Sequence, residues 1–254
     1  MKILNVARNF LRPAYRAEMT RKIVRRLFGR RSDERAHAES RDWCAAATED
    51  LEAFARARDS ALWDEAQTFA HALEEGGAQT LASLPVKLGG GGAYALLYFL
   101  TRLRKPEIVV ETGVAAGFSS TAFLKALRVN GRGHLYSSDL PYFRLENPER
   151  FVGIVVPPEL REGWSLYLEG DRRNLESILS VAPRIDLFHY DSDKSVEGRA
   201  LAMAMVESRL APHSIVVMDD IDDNLFFRDY VTRANKPYRV FFHRGRYVGV
   251  LGTN

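Results

Sequence analysis

Residues 107–119 read EIVVETGVAAGFS. An apolar run at Ile108–Val110 closes on Glu111, a turn of small residues carries Gly113 and Gly117, and Phe118-Ser119 opens a segment whose apolar residues recur at helical spacing to Val129. A short β-branched run bounded by glycines is a buried strand, and the switch to a 3.6-residue repeat marks a helix. The unit is strand–tight loop–helix. Toward the C-terminus the pattern repeats, with strands at 134–138, 165–168, 185–190 and 215–218 and helices at 173–179, 195–210 and 225–234. Runs at 238–243 and 247–251 close the chain as a hairpin turning at Arg244-Gly245-Arg246. Strands alternating with helices predict an α/β fold: a doubly wound, mostly parallel, seven-stranded Rossmann-like sheet with ligands at the C-terminal strand ends.

Upstream, an apolar helix at 93–104 precedes the first strand. Residues 33–75 are rich in Ala, Glu and Arg, with Trp43, Phe54, Trp63 and Phe69 at helical spacing. They predict two or three helices, broken near Asp59-Ser60 and ended by Gly76-Gly77. An irregular connection over 78–92 holds Pro85 and the run Gly89–Gly92. Residues 1–31 carry ten Lys/Arg against one acid, Glu18, so the rest of this +3 chain is net acidic. Within them Tyr15, Met19, Ile23 and Leu27, flanked by Val24 and Phe28, form an apolar stripe. Such a helix either lies on an anionic membrane surface or packs on the body or a second subunit, and packing is the commoner outcome. The chain thus divides into a basic amphipathic tail (1–31), a helical accessory segment (32–92) and a sheet domain (93–254), with homo-oligomerisation through residues 1–75 an open expectation.

The composition (46% hydrophobic, 27% charged, mean hydropathy −0.23) is that of a soluble globular protein. No apolar run reaches the roughly 18 residues of a membrane span. No secretion signal is evident, and Cys44, the single cysteine, excludes an intramolecular disulfide and a Cys-rich zinc site. A cytoplasmic location follows, with membrane association resting on the tail alone.

The chemistry-bearing residues sit where strands end. Gly113 and Gly117 let a ligand approach the backbone, and the helix that follows offers free N–H groups to a carboxylate. The spacing is G-x-x-x-G rather than the G-x-G-x-x-G of dinucleotide sites, which disfavours a nicotinamide dehydrogenase. Asp139 ends the second strand, where a carboxylate accepts ribose hydroxyls, and Gly170-Asp171 follows the third strand, placed to meet an adenine edge. Asp191 and Lys194 follow the fourth strand and Asp219-Asp220 the fifth. Three carboxylates at one place repel unless a cation lies between them, and an all-oxygen set suits Mg²⁺ or Mn²⁺. Lys194 beside a metal is a candidate base. Asp222 and Asp223 read as caps of the next helix, and His189, His213 and His243 as core or edge histidines.

The order E-T-G-x-x-x-G-F-S, Y-S-S-D, G-D, H-Y-D-S-D-K and M-D-D resembles class I S-adenosylmethionine (SAM)-dependent methyltransferases. More narrowly it is similar to the metal-dependent catechol and caffeoyl-CoA type and to macrocin-type sugar O-methyltransferases. The resemblance spans roughly residues 93–251. It implies that Glu111, Thr112, Gly113, Gly117, Phe118 and Ser119 surround the methionine part of SAM. Asp139 and Leu140 would hold the ribose, Asp171 the adenine region, and Asp191 a further cofactor contact. It implies Asp191, Asp219 and Asp220 as Mg²⁺ (or Mn²⁺) ligands and Lys194 as base, with Asp191 its rival; Asp220 stands where catechol-type enzymes have Asn. The implied reaction is methyl transfer from SAM to a hydroxyl of a small molecule, glycan or glycolipid, a sugar or a phenol. The alternative is a catalytically silent SAM-binding scaffold. A nucleic-acid substrate is not expected, because the site is acidic. The long connection Leu140–Gly163, with Tyr142, Phe143 and Phe151, either covers the acceptor or covers the core.

Overall fold

The computed structural model describes residues 2–13, 15–16, 19–20, 34–84 and 88–252. Its centre is one sheet in the order β1-β7-β8-β6-β5-β2-β3-β4. The strands are β1 (Thr48–Glu49), β2 (Ile108–Thr112), β3 (His134–Ser138), β4 (Trp164–Tyr167), β5 (Ile185–Tyr190), β6 (Leu210–Met218), β7 (Tyr238–His243) and β8 (Arg246–Leu251). All neighbours are parallel except β8, which runs antiparallel to both β6 and β7. The seven expected strands are β2 to β8. The eighth, β1, adds two residues to the edge through Thr48↔Val240 and Glu49↔Phe241, too few for any alternation to show in sequence.

The helices are α1 (Lys2–Phe10), α2 (Glu34–Ala47), α3 (Leu51–Ala82), α4 (Tyr94–Arg104), α5 (Phe118–Asn130), α6 (Asp171–Val181), α7 (Val196–Val206) and α8 (Phe226–Ala234). The strand period of two splits the core into two layers. Val109, Leu187, Ile215 and Val217 pack with Trp63 of α3, Phe99 of α4 and Phe123 of α5. Val110, Phe188, Val216 and Met218 pack with Cys44 of α2, Ile178 of α6, Met203 of α7 and Phe227 of α8. Residues 34–82 therefore belong to the same two layers as the sheet.

Three boundaries differ from the sequence reading, each for a local reason. Helix α3 breaks at Asp59 (φ −163°, ψ 100°) as expected, but it runs through Gly76-Gly77 to Ala82. Gly77 is an approach point rather than a stop: a Cβ there would lie 2.1 Å from Cε1 of Phe118. The helix expected over 195–210 ends at Val206, and β6 begins at Leu210. The first five residues of β6 are at least partly exposed, so only Ile215–Met218 carried a buried-strand signal. The hairpin turns on two residues, Arg244 (φ 49°) and Gly245 (φ 86°), with His243 opposite Arg246. Two consecutive positive φ values match the right-handed strand twist.

The chain between β3 and β4 does two jobs. Its second half covers the core: Val152, Val155, Val156 and Leu160 are buried, and Gly153 and Val155 donate their N–H groups to the carbonyls of Ala115 and Ala116 at 2.9 and 3.0 Å. Its first half, 140–149, carries the N-terminal segment. Tyr15 and Met19 are only 5% and 3% exposed. Tyr15 donates to Glu149 at 2.6 Å and its ring meets Phe143 at 5.4 Å. This half of the apolar stripe packs on the body; Ile23, Val24, Leu27 and Phe28 lie outside the described residues.

Candidate active site

The parallel register brings the acidic strand ends together, and main-chain hydrogen bonds pin each one to the neighbouring strand. Gly113 donates to Ser138 O (2.8 Å), Asp139 to Tyr167 O (2.9 Å), Asp191 to Thr112 O (2.9 Å) and Asp219 to Tyr190 O (3.0 Å). They border a cavity of about 820 Å³, whose lining includes Gly113, Asp139, Leu140, Asp171, Asp191 and Lys194. That size lies in the usual range of small-molecule and cofactor sites, roughly 300–1,000 Å³. A smaller space of about 100 Å³ shares Gly113, Ala115 and Asp191 with it and adds Ser119, Phe118, Tyr94, Asp219 and the glycines 89, 90 and 92. The glycine run of the irregular connection over 78–92 thus lies beside Gly113.

The turn after β2 is shaped by backbone. Gly113 (φ 88°), Ala115 (φ 49°) and Gly117 (φ 96°) all lie in the left-handed region. A Cβ on Gly113 would sit 2.4 Å from the carbonyl oxygen of Asp191, and one on Gly117 2.7 Å from Cα of Gly153. The Asp139 carboxylate accepts from Ala115 N (2.7 Å) and Leu140 N (2.6 Å), so it faces the same turn. Asp171 accepts from the hydroxyls of Ser138 (2.7 Å) and Ser192. Ser192 also donates to Thr112 Oγ1 at 3.1 Å.

Glu111 lies elsewhere. Its side chain is fully buried, accepts from Ser120 (2.6 Å) and Ser137 (2.8 Å), and does not line either cavity. Beside it is His189, its register partner on β5, with Nδ1 3.7 Å from Glu111 and Nε2 3.5 Å from Asp219. Burial pushes the imidazole down, but Asp219 and Glu111 outweigh it and lift its pKa to about 10. The resulting imidazolium holds Asp219 below the usual carboxylate range against the effect of burial.

The expected meeting of Asp191, Asp219 and Asp220 on a metal is not what this arrangement shows. Lys194 pairs with Asp191 and, at 3.1 Å, with Asp220, while Asp219 turns toward His189. Among the described residues no group of three or more His, Cys, Asp or Glu is placed to hold a metal ion. The Lys194 ammonium occupies two of the three carboxylates, so the set as arranged does not fit a metal ion. Burial and the charge of Asp219 raise Asp191 to about 6. Burial lowers Lys194, but Asp191, Asp220 and Asp219 outweigh it, so its pKa rises and it stays protonated.

Asp222 and Asp223 are not helix caps either. Asp222 is fully buried and pairs with Arg41 at 3.0 Å, Asp223 pairs with Arg246 at 3.1 Å, and Asn224 accepts from Phe226 N (3.0 Å) at the start of α8. Two supporting residues escaped the sequence reading. Arg199, fully buried, donates to the carbonyls of Asp219 (3.1 Å) and Asp220 (2.6 Å) and clamps the turn in which Asp220 adopts φ 52°. Asn174 donates to Ser138 Oγ and to the carbonyls of Asp139 and Tyr167, tying β3 to β4 under the site.

With this geometry in hand, comparison with known proteins is direct. Residues 110–221 match a family described as a methyltransferase domain, spanning β2 to the turn after β6. The matched stretch contains Asp139, Asp171, Asp191, Asp219 and Asp220 at the strand ends, together with Lys194. No curated protein matches the chain. Among solved structures, the fold of this chain is similar to an O-methyltransferase from Klebsiella pneumoniae, itself described as putative, at 14% identity and TM-score 0.55 over 73% of this chain and 89% of that one. An O-methyltransferase from Bacillus cereus in complex with SAH matches at 13% and 0.52 over 76% and 91%. The O-methyltransferase TomG from Streptomyces achromogenes, involved in tomaymycin synthesis and in complex with SAM, matches at 15% and 0.53 over 88% and 100%.

Proposed function

We propose that this protein transfers the methyl group of S-adenosylmethionine to a hydroxyl of a small molecule or glycan. The observation that carries the reading is that one cavity is lined by Asp139 and Asp171 together with Asp191 and Lys194. The cofactor, when bound, supplies a methyl group already activated on a sulfonium. The chain's tasks are then to hold the nucleoside, align the acceptor oxygen and take its proton. Asp139 accepts the ribose hydroxyls, Asp171 faces the adenine region, and Gly113, Ser119 and the turn between them receive the amino-acid end. Asp191, lifted to about 6, is closer to the working range of a general base than Lys194, whose proton three carboxylates retain. Asp191 takes the hydroxyl proton, and the Lys194 ammonium faces the oxygen as its charge develops.

This proton path uses no metal. Asp191, Asp219 and Asp220 would hold Mg²⁺ or Mn²⁺ only once Lys194 leaves them, and such an ion would acidify the acceptor hydroxyl. Turnover that requires Mg²⁺ and stops with EDTA would restore the metal to the site. The test of the main reading is calorimetric titration with S-adenosylhomocysteine on wild type and Asp139→Ala, followed by a screen of hydroxylated acceptors. Micromolar binding lost in the variant supports the proposal, and absence of binding to the wild type refutes it. Binding without turnover on any acceptor would leave a SAM-binding scaffold.

A further inference from the structure

Helix α1 lies on the body with its sides exchanged. Asn9 is buried and donates from Nδ2 to the carbonyls of Phe143 (2.9 Å) and Leu145 (3.0 Å), and Asn5 donates to the carbonyl of Arg144 (3.2 Å). On the opposite side Leu4 and Leu11 are 72% and 73% exposed, with Ala7 exposed between them. Positions 4, 7 and 11 follow the i, i+3, i+7 spacing of one stripe. A helix on a soluble body normally turns leucine inward and asparagine outward. Here the amides are spent on the loop carbonyls and the leucines face away. Tyr142, in the loop to which α1 is bonded, is another exposed large hydrophobic and lines the 820 Å³ cavity.

Charge selects among partners for this face. Residues 1–31 carry ten Lys/Arg and one acid, whereas the remaining chain is net acidic. Arg8 and Arg12 pair with Glu146 and Glu149 of the same loop, and Arg16 and Arg144 are exposed near them. An apolar stripe set in a basic segment is the pattern of a helix that lies in the headgroup region of an anionic bilayer. We propose that the outward face of α1 and of the turn that follows it, Leu4, Ala7 and Leu11, docks on an anionic phospholipid surface. Val6 of the same helix and Met19 line the cavity that holds Asp191 and Lys194. The docked helix is therefore also a wall of that cavity, and an acceptor borne by the lipid surface enters beside it. Docking stands without the methyl-transfer reading; only the lipid-borne acceptor rests on it.

The test is co-sedimentation of the full chain with phosphatidylcholine vesicles, with and without phosphatidylglycerol, at low and high salt, for wild type and the double variant Leu4→Ser/Leu11→Ser. Both leucines are exposed, so melting temperature and S-adenosylhomocysteine affinity should match wild type. Binding only to the anionic vesicles, reduced by salt and weakened at least about tenfold in the double variant, supports the proposal. No binding to anionic vesicles, or equal binding by the double variant, overturns it. A dimer seen by light scattering that the double variant dissolves, without vesicle binding, assigns the face to a second copy and also overturns it. Loss of S-adenosylhomocysteine binding by the wild type would refute the methyltransferase reading and leave the vesicle result standing.

Discussion

Gly113→Ala separates two effects that sequence alone merges. Gly113 has φ +88°, and Gly131, the C-cap of α5, has φ +69°. Placing alanine at either costs roughly 1–3 kcal/mol of backbone strain. Only Gly113 adds a collision: its Cβ would lie 2.4 Å from the oxygen and 2.6 Å from the carbon of the Asp191 carbonyl, and 3.0 Å from Ser192 N, whereas nothing lies within 4 Å at Gly131. All three atoms are main chain, so relief requires the ends of β2 and β5 to part, against the Asp191 N–H to Thr112 O bond of 2.9 Å. Overpacking of this kind adds about 1–3 kcal/mol, a large share of a total stability of about 5–15 kcal/mol. Urea unfolding of the two variants should show Gly113→Ala weaker than Gly131→Ala by that increment. Titration with S-adenosylhomocysteine should show an affinity loss of about tenfold or more at Gly113 alone, because Asp191 moves with the strand end. Equal stability and equal affinity in the two variants would refute the reasoning.

Three further outcomes follow from the geometry. If Asp191 is the base, kcat/KM falls as pH drops through about 6, where its carboxylate protonates, and is level above; Asp191→Asn removes activity, and a profile level to about pH 5 would exclude Asp191. Asp222→Asn leaves Arg41 without its buried carboxylate and should cost about 1–3 kcal/mol in urea unfolding, since Arg41 itself is half exposed and partly screened; an unchanged midpoint would remove the pair from the stability account. Glu149→Gln weakens the hold on Tyr15 and Arg12, so limited proteolysis within residues 1–20 should quicken while the sheet stays protected; an unchanged cleavage rate would show that these contacts do not hold the segment.

What was legible in the chain follows burial. Strands β3, β5 and β7 have the bounds expected from the sequence, and the central strand β5 is buried along most of its length. The acidic strand ends were legible for the same reason, since a charge directly after such a run has to lie at the sheet's edge. Directions and partners were not. Nothing local distinguishes the Asp191 carboxylate reaching a metal from one reaching Lys194, and Glu111 turns inward because Ser120, Ser137 and His189 converge on it from three other elements. His189 had one available signal: it stands two residues before Asp191, and the strand period puts both on the same face. Arg199 and Asn174 had none, because each is read as an ordinary helix residue until the carbonyls that it ties down are placed. Helix α1 is the sharpest case, since its composition describes an amphipathic helix and says nothing of which side the body takes.

The contacts that hold the N-terminal region are all distant in sequence. Asn5, Arg8, Asn9, Arg12 and Tyr15 bind residues 134 to 139 positions later. Ser40 and Arg41 of α2 reach across 181 positions to Ile221 and Asp222, and Glu49 of β1 across 190 to Arg239. During synthesis, α1 has no partner until the β3–β4 connection has emerged, and β1 has no strand to join until β7 follows. Long-range closures of this kind form late. Residues 2–13, 15 and 16 thus precede their partners in the chain by more than a hundred positions and are among the last to be fixed, so they stay open to other surfaces until the loop that binds them is made.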